Sequence, residues 1–201
     1  MPKLRLTKND LKREKDALRR FERYLPMLQL KKRQLQAERQ QIQRQIEDAE
    51  TARRQLLGQI DTWVAVLGEG GIEPFVQVSE LLLGEDNVAG VSVPVFLELV
   101  FENTPCDLFE TPPWIDAAVV AIRHLLTFDL KLAVLERQRG LIDRELRTTS
   151  QRVNLFERVR IPQTKHNIGR LHIYFGDQQT AAVVRGKIAK RKRVSVGEGH
   201  R

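Results

Sequence analysis

The sequence predicts a mainly α fold, a long antiparallel two-helix coiled coil or hairpin rod, with a small β-hairpin region between its helices. Two arms carry an apolar repeat of 3.5 residues, which is typical of coiled coils when it lasts beyond three or four heptads. The 201 residues are 30% charged and only 6% aromatic, which suits long helices that share a narrow core. We expect one structural unit of four segments: an N-terminal helix (1–67), an acidic loop and β-hairpin (68–111), a C-terminal helix (112–193) and a disordered tail (194–201).

The first helix is predicted to begin near Thr7, whose hydroxyl can cap an orphan amide, with Asp10 in the positively polarised first turn. From Leu11 onward, thirteen of seventeen heptad positions are apolar. Pro26 lies inside this pattern, and because the repeat continues through it we expect a kink and not a helix end. Three basic residues interrupt the apolar positions, namely Lys32, Arg39 and Arg53. They either extend to solvent and set the helix register, or meet carboxylates on a partner.

Glycine-rich residues 68–71 are predicted to end this helix, and the segment that follows has strand character. β-branched and aromatic residues dominate 75–78 and 91–96, so we expect the two strands there, with residues 84–87 as the turn. Pro94 restricts its strand to a sheet edge or to the strand's end. The hairpin is too thin to be a domain of its own.

The second helix is predicted to begin at Thr111-Pro112-Pro113-Trp114, because proline is favoured at the first helical position. Eleven of thirteen heptad positions from Trp114 to Phe156 are apolar, and Pro162 marks a second kink. The middle is too short to carry either arm far away, so the arms should pair antiparallel. The helix ends in a basic segment comprising Arg185, Lys187, Lys190, Arg191, Lys192 and Arg193.

Charge alternates along the chain. Residues 1–60 contain 16 basic and 8 acidic residues, residues 61–116 contain 11 acidic residues and no lysine or arginine, and residues 117–201 contain 18 basic and 7 acidic residues. The net charge of +8 favours an anionic partner, and composition alone does not choose among nucleic acid, a membrane surface and an acidic protein. The basic end lacks interleaved aromatic residues that would stack on bases. Nucleic-acid binding and a solvated helix end are therefore about equally compatible with it.

The sequence predicts neither catalysis nor a cofactor. The glycine-rich residues 68–71 lack the lysine of a phosphate-binding loop, and the four histidines are scattered, which argues against a metal site. Cys106 is the only cysteine, so no intrachain disulfide is possible. The basic N-terminus lacks the apolar core of a signal peptide, and the apolar stretches are far shorter than the roughly 20 residues that cross a bilayer. We expect a soluble, cytoplasmic protein without direct membrane insertion.

One stretch of the second arm resembles the signature of the D subunit of the V-type and archaeal-type rotary ATPases. The matching positions are Thr149, Arg152, Val153, Asn154, Glu157, Ile161 and Pro162. Residues 28–35, which include Lys31, Lys32 and Arg33, are similar to the family's leucine- and lysine-rich stretch, and residues 87–94 are similar to its Gly-x-x-x-Pro hairpin, with Gly90 and Pro94 as the matching pair. The sequence departs from the family pattern at Gln151, at Leu155 and in its glycine-interrupted basic last helix.

The resemblance implies a non-catalytic rotor subunit of the central stalk, which transmits torque between ATP turnover and ion transport. In that family the paired helices enter an A₃B₃ catalytic hexamer, a small F subunit clasps the shaft, and the far end docks on a funnel subunit above the membrane ring. The signature residues and Lys31, Lys32 and Arg33 would then face the hexamer. The protein would be peripheral to the membrane, within the soluble ATPase sector.

Two other classes remain open from the residues. A chaperone or adaptor of the prefoldin type also joins two coiled-coil helices through β-hairpins, although its helix tips are apolar whereas these are basic. A coiled-coil nucleic-acid-binding protein is favoured by the high pI and disfavoured by the acidic middle of the chain.

Overall fold

The computed structural model describes residues 5–61, 71–102, 112 and 114–198, apart from the side chains of 192–198. It contains two long helical arms with a two-stranded antiparallel hairpin between them, which confirms the predicted fold class. The elements are α1 (Lys8–Ile60), β1 (Val78–Val88), β2 (Val91–Phe101), α2 (Ile115–Asn154) and α3 (Ile161–Glu198). A 3₁₀ turn (Glu73–Phe75) precedes β1, and a π-helical segment (Leu155–Arg160) joins α2 to α3.

The chain forms two compact units, one built from residues 30–149 and the other from 1–29 with 150–201. Helix α1 contributes to both, and it begins as the sequence predicted. The Asp10 N–H donates to the Thr7 hydroxyl at 3.2 Å, and that hydroxyl donates to the Asp10 carboxylate at 3.0 Å. Pro26 lies inside the helix without ending it. The predicted helix end near Leu67, residues 68–70 and Cys106 lie outside the described residues.

In the unit of residues 30–149, the hairpin packs on the paired helices α1 and α2. The buried core cluster consists of Leu35, Ile42, Ile46, Val93, Leu135 and Ile142. All of these except Val93 occupy heptad positions, so the apolar repeat did identify the helix faces that meet. A second cluster lies near the start of α2 and consists of Ile72, Ile115, Ala118 and Val119. The core of this unit therefore has three contributors, two helices and one strand pair.

The hairpin turn lies at Ala89-Gly90, and the prediction of a turn at residues 84–87 was wrong. Both turn residues have positive φ, +50° and +80°, which is the backbone conformation of a type I′ hairpin turn. The Asn87 side-chain oxygen accepts the Gly90 N–H at 2.9 Å and closes the turn. Alanine is an unusual residue at positive φ, so local sequence offered little indication of this turn.

Residues 84–87, with their turn-like composition, lie inside β1 because they have partners on β2. Gly84 pairs with Val95 and Asn87 with Ser92. The strands are also longer than predicted and shifted in sequence, since Phe75 belongs to the 3₁₀ turn and β2 continues to Phe101. Cross-strand pairing thus outweighs the local turn preference of Gly84-Glu85-Asp86-Asn87.

In the unit of residues 1–29 and 150–201, the first part of α1 packs against the chain beyond α2. The rings of Phe21 and Phe156 stack with centroids 5.3 Å apart, and Lys165 Nζ lies 3.2 Å from a Glu22 carboxylate oxygen. Leu171 is completely buried. Among its described residues, this unit has two helical contributors to its core and no strand.

A π-helical segment directly precedes Ile161 and Pro162, where the sequence predicted a kink. Proline has no N–H and cannot donate to the carbonyl one turn earlier. The Ile161 N–H donates to the carbonyl of Phe156, five residues back, which is the π-helical pattern. Helix α3 then continues to Glu198, five residues past the end predicted at Arg193.

Candidate functional site: the paired helices and their hairpin

Three segments that carry the family resemblance meet around Glu145 of α2. Lys31 Nζ donates to Glu145 Oε1 at 2.7 Å, which joins the leucine- and lysine-rich stretch of α1 to α2. The Thr149 hydroxyl, in a residue that is 1% exposed, lies 3.5 Å from the same oxygen. The hairpin turn is adjacent, since Lys31 Nζ lies 3.9 Å from where a Cβ on Gly90 would stand. Residues distant in sequence thus become neighbours at one carboxylate.

Sequence reasoning missed Glu145, although one signal could have identified it. Glu145 directly precedes Leu146, which occupies a predicted heptad position of α2. Charged residues that flank the apolar positions of a coiled coil commonly pair across the interface. The partner on α1 could not be predicted without knowing how the two helices align.

Ion pairs fix that alignment in the unit of residues 30–149. Arg39 Nε lies 2.9 Å from an Asp143 carboxylate oxygen, and Arg53 pairs with Asp129. The step of 14 residues forward along α1 is matched by a step of 14 residues back along α2. Two of the charged heptad positions therefore meet carboxylates, and these belong to the second helix of the same chain. The helices run antiparallel in a constant register.

The signature residues are divided between the interior and the surface. Thr149 and Val153, one helical turn apart, are 1% and 4% exposed. Arg152, Asn154 and Glu157 are exposed. Of the last two positions, Ile161 is half-buried and Pro162 is exposed. The first pair can act in packing, whereas the exposed three are available to a partner.

The hairpin is held on α2 at its base and in its middle. At its base, the Arg123 guanidinium donates to the carbonyls of Phe75 and Glu102 at 2.6 and 3.1 Å and lies 5.0 Å from the centre of the Phe101 ring. In its middle, Gln138 Nε2 donates to the Pro94 carbonyl at 2.6 Å. The hairpin is therefore fixed to α2 and is not a free loop.

The other predicted basic residues lie apart from this cluster. Lys32 is half-buried and Arg33 is exposed, both on α1. Along α3, Arg185, Lys187, Lys190 and Arg191 are all exposed, and every described side chain from residue 176 to 191 is exposed as well. Lys192 and Arg193 lie in α3, with side chains outside the described part.

Within the described ranges, no three His, Cys, Asp or Glu side chains come close enough together to hold a metal ion. None of the described helices is both long enough and apolar enough to span a membrane. What the described residues offer a partner is a pair of helices with exposed basic and apolar groups and an acidic hairpin.

Comparison with known proteins identifies the family of this chain. Residues 10–191 match the family model for the ATP synthase D subunit. The V-type ATP synthase D subunit of Borreliella burgdorferi is 45% identical over 191 residues, which cover 94% of this chain and 95% of that protein. The V-type ATP synthase D subunit of Chlamydia felis is 32% identical and that of Chlamydia muridarum 31%, each over 94% of this chain and over 93% and 95% of the respective relative. Since both the family model and these relatives cover nearly the whole chain, the chain belongs to the ATP synthase D-subunit family.

Proposed function

We propose that this chain is a rotor subunit of the central stalk of a V-type ATPase or ATP synthase, where it transmits torque between ATP turnover and ion transport by the membrane ring. The observation that carries the proposal is the antiparallel pairing of α1 and α2 in one register, marked by Arg39–Asp143 and Arg53–Asp129, in a chain of this family. ATP chemistry would belong to the partner subunits, so the chain itself would be non-catalytic.

Transmission of torque requires that two paired helices resist sliding past each other. A coiled coil built only on a heptad repeat can slip by seven residues and still bury apolar side chains. A slip in either direction would move Arg39 away from Asp143 and Arg53 away from Asp129. The pairs are about half exposed, so each stabilises the fold by only about 0–1 kcal/mol. Their contribution would be to select the register, while the buried cluster around Leu35 and Ile142 supplies the stiffness.

The expected partners are the A and B subunits of the A₃B₃ hexamer, the F subunit of the stalk and the funnel subunit of the membrane ring. The exposed signature residues and the basic end of α3 would face the hexamer. A shaft that presents different side chains to three catalytic sites favours a different conformation in each, which couples its orientation to catalysis. The protein would lie on the cytoplasmic side, peripheral to the membrane.

The direct test is reconstitution with the A, B and F subunits from the same organism. The chain should co-purify with them and change the ATPase rate of the hexamer. In a Cys106→Ser background, a biotin attached at Ser92→Cys would label an exposed hairpin position. A bead bound there should rotate in steps when ATP is added to the immobilised hexamer. Steady binding without rotation would contradict a rotor role.

Because some signature residues are buried and others are exposed, variants can separate a role in packing from a role in binding the hexamer. Arg152→Ala, Asn154→Ala and Glu157→Ala remove exposed side chains, so they should leave the unfolding temperature nearly unchanged and lower ATP-driven rotation or ATPase coupling. Val153→Ala, the matched interior control, should lower stability by about 1–3 kcal/mol. If the three exposed variants all couple like the wild type, the hexamer-facing assignment of these residues is wrong.

The alternative hypothesis, that the chain binds nucleic acid, predicts DNA binding and no effect on the hexamer ATPase. The exposed Arg185, Lys187, Lys190 and Arg191 would then bind duplex DNA with an affinity that falls steeply with salt. A hexamer ATPase rate that ignores the chain, together with such DNA binding, would replace the rotor proposal with this one.

A further inference from the structure

Between its middle and its base, the hairpin presents an exposed leucine in an acidic setting. Leu97 is 62% exposed. It lies at a β-bulge, since Glu98 pairs with Leu82 and Phe96 with Leu83, which leaves Leu97 without an opposite residue. Bulges commonly re-aim a side chain out of the regular pleat. Here the bulge turns a leucine toward solvent.

Gly84 provides the space for this side chain. A Cβ at Gly84 would stand 3.4 Å from three atoms of the Leu97 side chain, so the leucine lies directly over the glycine. Leu97 is therefore supported by the opposite strand and does not swing free. A supported side chain loses little further freedom when a partner covers it.

Carboxylates flank this leucine on the same side of the sheet. The pairing of Leu82 with Glu98 and of Glu80 with Val100 places Glu80 and Glu98 on one face, as diagonal neighbours. Both carboxylates are exposed, and no salt bridge joins either of them to a described residue. The strands Val78–Val88 and Val91–Phe101 contain four acidic residues and no lysine or arginine.

The other face of the hairpin, near Leu99 and Phe101, is packed against the protein interior and α2. Leu99 is 8% exposed, and the Phe101 ring lies against the Arg123 guanidinium of α2. Arg123 and Gln138 hold the strands to α2. On the face that carries Leu97, Glu80 and Glu98 are exposed, while Leu82 and Val100 between them are half-buried.

We propose that Leu97, with Glu80 and Glu98 beside it, forms a docking surface for a protein subunit that places lysine or arginine side chains around an apolar contact. Charge complementarity supports this occupant, because a nucleic acid or an anionic membrane would be repelled by the carboxylates. The inference rests on the proposed function in one respect, that the partner is a subunit of the same ATPase complex.

The test compares complexes of the full chain with the A, B, F and funnel subunits. Leu97→Ser should weaken retention of one subunit by roughly tenfold, as expected for a central apolar contact. Glu98→Gln should lower the salt dependence of the same interaction. The matched controls are Val120→Ser, which removes a 55% exposed valine of α2, and Glu136→Gln, which removes an exposed carboxylate of α2. Neither control should change subunit retention.

Hydrogen exchange of the wild-type chain provides a measurement that does not depend on variants. Amides of residues 78–101 should exchange more slowly in the complex than in the free chain. If the wild type assembles but both hairpin variants retain every subunit like the controls, and the hairpin gains no protection, the docking inference is overturned and the rotor proposal stands. If the wild type binds none of the subunits, the rotor proposal fails and this inference fails with it.

Discussion

The two compact units use the same helical repeat but bury it to different extents. In residues 30–149, the hairpin covers one side of the helix pair, and the core contains leucine, isoleucine and valine. In residues 1–29 and 150–201, the heptad residues Leu11, Leu18, Leu25 and Leu28 are only half-buried. A heptad repeat thus predicts which helix faces meet, but a third element is needed to make a thick core. We expect the first unit to supply most of the stability.

The largest expected effect is in the three-element core. Ile142→Ala should lower the free energy of unfolding by about 2–5 kcal/mol, because Ile142 is completely buried and its neighbours on two helices and a strand can collapse only partly into the cavity. Urea unfolding followed by circular dichroism measures this loss. Ile173→Ala, at a 68% exposed position, is the control and should change stability by less than about 0.5 kcal/mol. Equal effects would contradict the tight packing of Ile142 in this core.

A matched change in the two-helix unit should have a smaller effect. Leu171 is also completely buried, but this narrow core has no third element among its described residues, so solvent and neighbouring side chains can fill the space more easily. We expect Leu171→Ala to lower stability by about 2 kcal/mol, the low end of the range for such changes. Hydrogen exchange should show faster opening confined to 1–29 and 150–198. Faster opening throughout 30–149 would mean that the units unfold together.

The attachment of the hairpin can be tested at its base. Arg123→Ala removes the hydrogen bonds to the Phe75 and Glu102 carbonyls and the contact with the Phe101 ring, with an expected loss of about 1–2 kcal/mol. The amides of β1 and β2 should exchange faster. Arg123→Lys keeps the charge but cannot make the forked contacts, so its effect should be intermediate. Unchanged exchange in the alanine variant would show that apolar packing alone holds the hairpin.

The smallest effect is expected at the ion pairs that mark the register. A double-mutant cycle of Arg39→Ala and Asp143→Ala should give a coupling of about 0.2–1 kcal/mol at low salt and less at high salt. The less exposed Lys31–Glu145 pair should give the larger coupling. Arg19 and Asp16, 4.0 Å apart and mostly exposed, are the control and should couple negligibly. A coupling above about 2 kcal/mol at Arg39 would assign these pairs a major part in stability.

Part of the candidate site could be predicted from the sequence because it depends on local order. Thr149, Arg152 and Val153 were identified because they match a short family motif, and Gly90 because it matches another. Glu145 could not be identified with its partners, because the contact with Lys31 spans 114 residues and exists only once the helices are aligned. The antiparallel direction followed from the short middle segment, but the register of the two helices depends on how that segment folds, which no local pattern specifies.

Local sequence was enough to predict the two long helices, the cap at Thr7 and the existence of a hairpin, and to indicate the family, because helical periodicity and motif order are local properties of the chain. Tertiary structure decided the position of the turn, since strand pairing kept Gly84 and Asn87 in β1 and forced Ala89 to positive φ. It also decided which arginines meet which aspartates and how deeply each heptad is buried. These features depend on contacts between residues far apart in sequence, and their energies exist only when the chain has folded.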